Sequence, residues 1–434
     1  MKVLLVCHRY PPTGVAGVER LSAQAAETLT ARGHEVTVLT RDPSEAPASL
    51  KLQRDFREGV PVASIVGGGL AFERFPVQEP ALERIFERVL IEVEPEVVLA
   101  THLLNHSPGY VAVAHRWGVP FVLALHDFFM LCPRVHLQRR SGELCPGPEG
   151  GEACAVHCFG DQPDPLLRWS LRAQSFGEAL RAADRVTAPS RFLADAFAPF
   201  RGDGAPIEIV PNGVASLGPV LRERAPGHHP LNLVSIGVTV EHKGFGTVLE
   251  ALRLARLPAA TYTIFGVPLQ PLARELQAAA DRVPGLDLRL YGGFAPGHLP
   301  ALLAEADALV VPSTVPETYS IVAREGFACG LPVIAAAIGA LPEAIREGDN
   351  GFLFEPGDAV DLADLLRRLD KDRGLLRRAA AGIRDEDVTS VDEHCDLIEA
   401  LLEEAAGQAP AADLAGPQLR LMREAIVAAD RHRD

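Results

Sequence analysis

The sequence predicts an α/β chain built from two doubly wound, Rossmann-like domains. Three observations carry this. Short β-branched runs alternate with amphipathic helical stretches; the alternation stops at a polar, Gly- and Pro-containing stretch and then restarts; and 434 residues exceed what one ordinary core accommodates. Strands that read as continuous apolar runs imply parallel sheets covered on both faces.

In chain order, Val3–Cys7 reads as a strand and 11–17 as a loop, and Glu19–Arg32 carries apolar residues at helical spacing and is closed by Gly33. Strands follow at Glu35–Thr40, Val62–Ile65, Val97–Ala100, Phe121–Leu125, Arg185–Ala188 and Glu208–Val210, with helices at Ala81–Glu94 and Gly109–Arg116. After Pro211-Asn212-Gly213 the stretch to Pro230 reads as a linker. The second half gives strands at Asn232–Ile236, Thr261–Phe265, Leu286–Leu290, Ala308–Val311, Pro332–Ala335 and Gly351–Phe354. Its helices are expected at Gly246–Arg256, Leu269–Arg282, Leu299–Glu305, Ile321–Ala328, Leu341–Arg346 and from Ala359 onward, with an amphipathic stretch at Leu414–Ala429. The expected domains are residues 1–213, carrying a cysteine-containing insertion at 132–158, and residues 214–384. Helices at 385–434 follow, and their return to the first domain is compatible with the sequence. Two such domains in tandem direct their strand ends, and hence a ligand, to a cleft.

Composition narrows the function classes. Hydrophobic residues at 47% and charged residues at 23% are those of a globular protein, and a net charge of -15 argues against a general nucleic-acid or anionic-membrane surface. No apolar run reaches the about 18 residues that span a bilayer. The N-terminus reads as a first strand rather than a signal peptide, so the expected location is cytoplasmic. Seven cysteines suit that location as thiols or metal ligands better than as a disulfide framework.

Five constellations suggest chemistry. Glu317 and Glu325 stand eight residues apart where a strand-end loop enters a helix, and carboxylates are acceptor-only groups suited to adjacent hydroxyls. Ser320 precedes Ile321 and Val322 and is expected to cap the helix, leaving first-turn N–H groups for an anion. Lys243-Gly244 follows a strand end and suits a phosphate. The loop Gly14-Val15-Ala16-Gly17 opens a helix and allows close backbone approach, or is a simple tight turn. His126 ends a parallel strand, where it would polarise a hydroxyl, with Asp127 to fix it or accept a proton. Separately, Cys132, Cys145, Cys154 and Cys158 are spaced by 12, 8 and 3 residues. They are compatible with unmetallated thiols or with a structural zinc stapling a loop that lacks its own core.

Together these residues resemble the large family-4 glycosyltransferases (glycosyltransferase group 1 type), retaining enzymes of the GT-B architecture. The likeness runs from Met1 to about Leu402. It rests on Glu317-x7-Glu325, supported by 32–38, Pro211-Asn212-Gly213-Val214, Lys243-Gly244, Gly339-Ala340-Leu341-Pro342-Glu343 and the stretch Leu125-His126-Asp127-Phe128 to Cys132-Pro133. The resemblance implies transfer of a sugar from a UDP- or GDP-sugar, with retention, to a small-molecule, glycan or lipid-linked acceptor, with no catalytic metal. It implies Glu325 on the donor ribose and Glu317 on the transferred sugar. Lys243, with backbone N–H groups near Gly17 and Ile321, would hold the diphosphate, and His126 would lie beside the reacting centre. Gly14, His126 and Asp127 would face the acceptor. A sugar-nucleotide epimerase and a non-catalytic sugar-nucleotide-binding protein share these features. One departure is Val238 after Gly237, where family members often carry Arg. Losing such a charge-assisted contact costs about 1.5–3 kcal/mol. Another is Ser320, where Gly is common.

Overall fold

The computed structural model describes residues 1–14, 16–42, 50–67, 79–202, 206–215, 217–218, 229–238, 240–266 and 270–408. The expected helix at 414–429, most of the linker and Val15 lie outside these residues. The chain divides into two compact units. One is Met1–Pro211 together with the chain from Val391, and the other is Asn212–Ser390.

The first unit holds an eight-stranded sheet of β1 (Lys2–Cys7), β2 (Glu35–Asp42), β3 (Lys51–Arg57), β4 (Val60–Val66), β5 (Val97–Ala100), β6 (Phe121–Ala124), β7 (Arg185–Ala188) and β8 (Glu208–Ile209). Their order is β3-β4-β2-β1-β5-β6-β7-β8. All neighbours are parallel except β3, which runs antiparallel to β4. Alternate residues of β1 enter opposite cores. Leu4 and Val6 join one cluster with Phe86 and Phe121, while Val3, Leu5 and Cys7 join another with Leu29 and Ile398. The second of these cores is closed by the helix Val391–Gln408, whose Ile398, Leu401, Leu402 and Ala405 are buried. An ion pair from Arg32 and a hydrogen bond from His34, both to Glu399 at 2.6 Å, fasten that helix.

The sequence reading missed β3. Its residues KLQRDFR are mostly exposed, so no apolar face marks it. Charged residues on an edge strand block pairing with another chain, and the same charge hides the alternation.

The second unit has six strands, β9 (Leu231–Ile236), β10 (Ala260–Phe265), β11 (Leu286–Tyr291), β12 (Ala308–Val311), β13 (Val333–Ala336) and β14 (Gly351–Phe354). They are all parallel, in the order β11-β10-β9-β12-β13-β14. The helix Ile321–Ala328 presses on β12 through Gly326, where an added Cβ would lie 2.8 Å from Leu309 Cδ2. Each sheet therefore has one switch point at which the strand order reverses: β1/β5 in the first unit and β9/β12 in the second. Ligands of open α/β sheets bind outside the strand ends at such points.

Candidate active site

In the second unit the switch point is built by two loops. After β9 the chain turns at Gly244, whose φ is 71° and whose hypothetical Cβ would fall 1.8 Å from the Pro312 carbonyl oxygen. Only glycine lets the two loops approach this closely. The Thr314 N–H donates to the His242 carbonyl at 2.9 Å and ties the loops together. Lys243 is thereby aimed at Glu317, its Nζ 2.7 Å from Oε1.

Glu317 is held from three sides. Its Oε1 accepts from Lys243 and from the Ser313 hydroxyl. Its backbone carbonyl accepts from the Ala340 N–H at 2.7 Å. Gly339, at φ 65°, allows that contact, because a Cβ there would lie 2.3 Å from the Glu317 carbonyl oxygen. Burial pushes the Glu317 carboxyl up, but the Lys243 charge and hydrogen bond, with Ser313 and the nearby His242, outweigh it and hold the group below the usual glutamate range. It is an anion at neutral pH with one face already paired.

Ser320 departs from expectation. It stands at the N-cap position of Ile321–Ala328 but makes no side-chain cap hydrogen bond. A capping serine needs extended backbone so that its oxygen reaches the N2 or N3 N–H. Ser320 sits instead at φ 62°, ψ 77°. The first N–H groups of a helix have no intrahelical acceptor, so those of Ile321 and Val322 are not satisfied by the Ser320 hydroxyl. Glu325 lies one turn further on, half-buried. Val238 is 49% exposed.

In the first unit the parallel register pairs Val6 with Ala100. Two residues on, His8 and His102 meet with ring centroids 4.5 Å apart. The Leu104 N–H donates to His102 Nδ1 at 2.9 Å, so Nε2 carries the proton and donates to Asp127 Oδ2 at 2.9 Å. Asp127 also accepts from the Phe129 N–H at 2.7 Å. Asp127 thus orients His102, which the sequence reading did not single out, rather than being reserved for His126. His102 was findable: like His126, it lies just past the carboxyl end of a parallel strand. His126 lines a cavity of about 10 Å³ with Thr101, Thr187 and His394.

Gly14 and Gly17 flank the start of the helix Gly17–Ala31. A Cβ on Gly14 would lie 2.8 Å from Glu19 Cγ, so the loop folds onto Glu19. Glu19 is 5% exposed in the first helical turn, and its Oε1 stands 3.1 Å from His8 Nε2. That carboxylate already offsets the positive helix end, so any diphosphate at Gly17 would meet a neighbouring negative charge.

Asp127 yields a pH prediction. Burial raises its pKa, but His102 and the Phe129 N–H prevail and the net shift is downward. A depressed folded pKa contributes stability above the unfolded value of about 3.9, and that contribution is lost as pH falls through the folded value. Asp127→Asn should therefore destabilise the protein at pH 7 and converge with wild type in acid. Parallel urea titrations with a pH-independent difference would refute this.

Among the described residues no group of three or more His, Cys, Asp or Glu side chains is placed to hold a metal ion. No helix among them is long and apolar enough to cross a membrane.

Two doubly wound α/β units, each with polar residues gathered at its switch point, are what the structure shows. Residues 15–216 match the family described as Glycosyltransferase Family 4, and residues 223–385 match Glycosyl transferases group 1. The chain is 30% identical over 421 residues to D-inositol 3-phosphate glycosyltransferase of Actinosynnema mirum, covering 86% of this chain and 88% of that one. It is 28% identical over 401 residues to glycogen synthase of Mycobacterium tuberculosis, covering 88% and 89%. Among solved structures it is similar to Anabaena HepE in complex with UDP and glucose, at TM-score 0.64, 19% identity and coverage of 93% and 99%. It is also similar to the catalytic domain of starch synthase IV from Arabidopsis thaliana bound to ADP and acarbose, at TM-score 0.61, 15% identity and coverage of 94% and 99%. The fold is GT-B, and the chain belongs to the group 1, family-4 type glycosyltransferases.

Proposed function

We propose that this glycosyltransferase takes its sugar from a nucleoside diphosphate sugar, a UDP- or GDP-sugar, and transfers it with retention at the anomeric carbon. The observation that carries the reading is the Lys243–Glu317 pair at the β9/β12 switch point, beside the start of the helix Ile321–Ala328. A cation beside the first N–H groups of a helix suits a diphosphate. Names among the similar structures support a nucleotide donor, since HepE is described with UDP-glucose and starch synthase IV with ADP.

In this reading Lys243 and the N–H groups of Ile321 and Val322 neutralise the departing diphosphate, where charge develops as the glycosidic bond breaks. Glu317 accepts from hydroxyls of the transferred sugar through the oxygen that Lys243 and Ser313 leave open. Glu325 accepts from the two ribose hydroxyls. His126, beyond β6, is the residue of the first unit assigned to the transfer step, and Gly14 and Asp127 shape the acceptor side. The acceptor is a small molecule, a glycan or a lipid-linked sugar. A nucleotide-sugar donor and cysteines carried as free thiols fit the cytoplasm.

Thermal-shift measurements with UDP, GDP, ADP and their sugars test this. A ligand at 100 times its dissociation constant adds about 2.7 kcal/mol to native stability. Glu325→Ala should abolish the nucleotide response while leaving the unliganded melting temperature close to wild type. An unchanged response removes the ribose assignment, and no response or turnover across the whole panel removes the donor proposal.

A further inference from the structure

Lys243 brings an ammonium to the diphosphate site, and that ammonium is already 2.7 Å from the Glu317 carboxylate. As a unit the pair is close to neutral. The diphosphate of a nucleotide sugar carries about two negative charges. A further one develops as the bond to the anomeric carbon breaks and its electron pair passes to the phosphate oxygen. The positive end of a helix amounts to roughly half a unit charge. Lys243 and the helix start therefore leave the departing diphosphate under-neutralised.

Arg324 is the fourth residue of the helix Ile321–Ala328. Long helix side chains lean back over the preceding turn. The Arg324 guanidinium carbon accordingly lies 4.7 Å from the centre of the Tyr319 ring. Its charge is thus held over the residue just before Ser320, at the start of the helix. Tyr319 is 4% exposed, so the ring is a fixed platform. It follows Glu317 by two residues, which puts their Cα atoms at most about 7 Å apart. Arg324 is half-buried, and its Nη1 is enclosed without a hydrogen-bond acceptor. No carboxylate among the described residues forms an ion pair with it. Buried guanidinium donors are ordinarily hydrogen-bonded, and an anion at the helix start would satisfy this one.

We propose that Arg324 is a donor-binding residue whose guanidinium holds the diphosphate together with Lys243 and balances the charge that develops on it. The inference rests on the nucleotide-donor reading above. A guanidinium suits the task because its planar fork makes two parallel hydrogen bonds to phosphate oxygens. Stacking on Tyr319 fixes the group while leaving its charge intact. Lys243 is shared with Glu317, whereas Arg324 has no carboxylate to share.

The test uses the full chain and titration calorimetry. UDP, GDP and ADP are measured first, and the tightest of them is compared with its parent nucleoside. Arg324→Gln should weaken the diphosphate about tenfold to hundredfold, as expected for loss of one charge-assisted contact, and leave the nucleoside unchanged. Arg324→Met keeps a flexible side chain against Tyr319 without charge and should behave alike. Val238 is 49% exposed just past the carboxyl end of β9, the neighbour of β12. Val238→Arg introduced into Arg324→Gln should recover most of the diphosphate affinity. Equal weakening of diphosphate and nucleoside, with a lower melting temperature and no recovery from Val238→Arg, would mark a packing role and overturn the proposal. Wild-type diphosphate affinity in both Arg324 variants, beside a loss in Lys243→Ala, would also overturn it and leave the donor reading standing. Wild-type protein that binds none of the three diphosphates removes that reading and this inference with it.

Discussion

Lys243→Ala is expected to lower kcat by about 10²–10³-fold, the loss found when one preorganised donor is removed from a developing anion. Two effects add. The variant removes the cation from the proposed diphosphate site, and it removes the 2.7 Å partner of Glu317. Glu317 then keeps the Ser313 hydroxyl and the burial that pushes its carboxyl up, without the charge that holds it down. With Lys243 present, the depressed pKa contributes stability above the unfolded value of about 4.3, and this is lost as pH falls through the folded value. The variant should therefore be less stable at pH 7 and indistinguishable from wild type in strong acid. Lys243→Arg should recover the stability better than the rate, because a planar guanidinium does not reproduce the point charge of an ammonium. Steady-state kinetics beside thermal melts decide it: a kcat within a few-fold of wild type in Lys243→Ala would remove the diphosphate role.

Gly339→Ala is expected to destabilise the second unit and to reduce activity further than the stability loss explains. The left-handed backbone alone costs a non-glycine residue about 1–2 kcal/mol. Gly348→Ala provides the comparison, since Gly348 has φ 75° with nothing within 4 Å of its Cβ position. At Gly339 the added carbon would instead meet the Glu317 carbonyl oxygen at 2.3 Å and the Glu317 nitrogen at 2.5 Å. Backbone cannot rotate aside as a flexible side chain can, so Glu317 must move and the Ala340-to-Glu317 hydrogen bond must stretch. Displacements of about 1 Å at a reacting centre cost about 10²-fold in rate. Equal melting temperatures and equal kcat for the two alanine variants would show that Gly339 does not position Glu317.

Most of the parallel strands were legible because they are short apolar runs set between helical stretches. β12, with Ala308, Leu309, Val310 and Val311 all buried, is an example. β3 was not, because its pattern answers to an edge rather than to a core. The helix at Ile321 was legible from its apolar spacing, but the role given to Ser320 was not. Serine is a common cap, and only the backbone angle decides whether its oxygen reaches the helix. His126 was visible as a histidine at a strand end. His102 became visible only when the β1/β5 register set it beside His8 and the fold brought Asp127 to its Nε2.

Residue order alone determined the α/β alternation, the restart after Pro230, and the chemical types gathered near Lys243, Glu317 and Glu325, because periodicity and turn chemistry are local. The tertiary structure decided which charges meet. Lys243 and Glu317 are 74 residues apart in the chain and become an ion pair because Gly244 and Gly339 have no side chain where backbone must pass. Sequence spacing carries no record of that closeness, since non-local pairing depends on how the strands order themselves in the sheet.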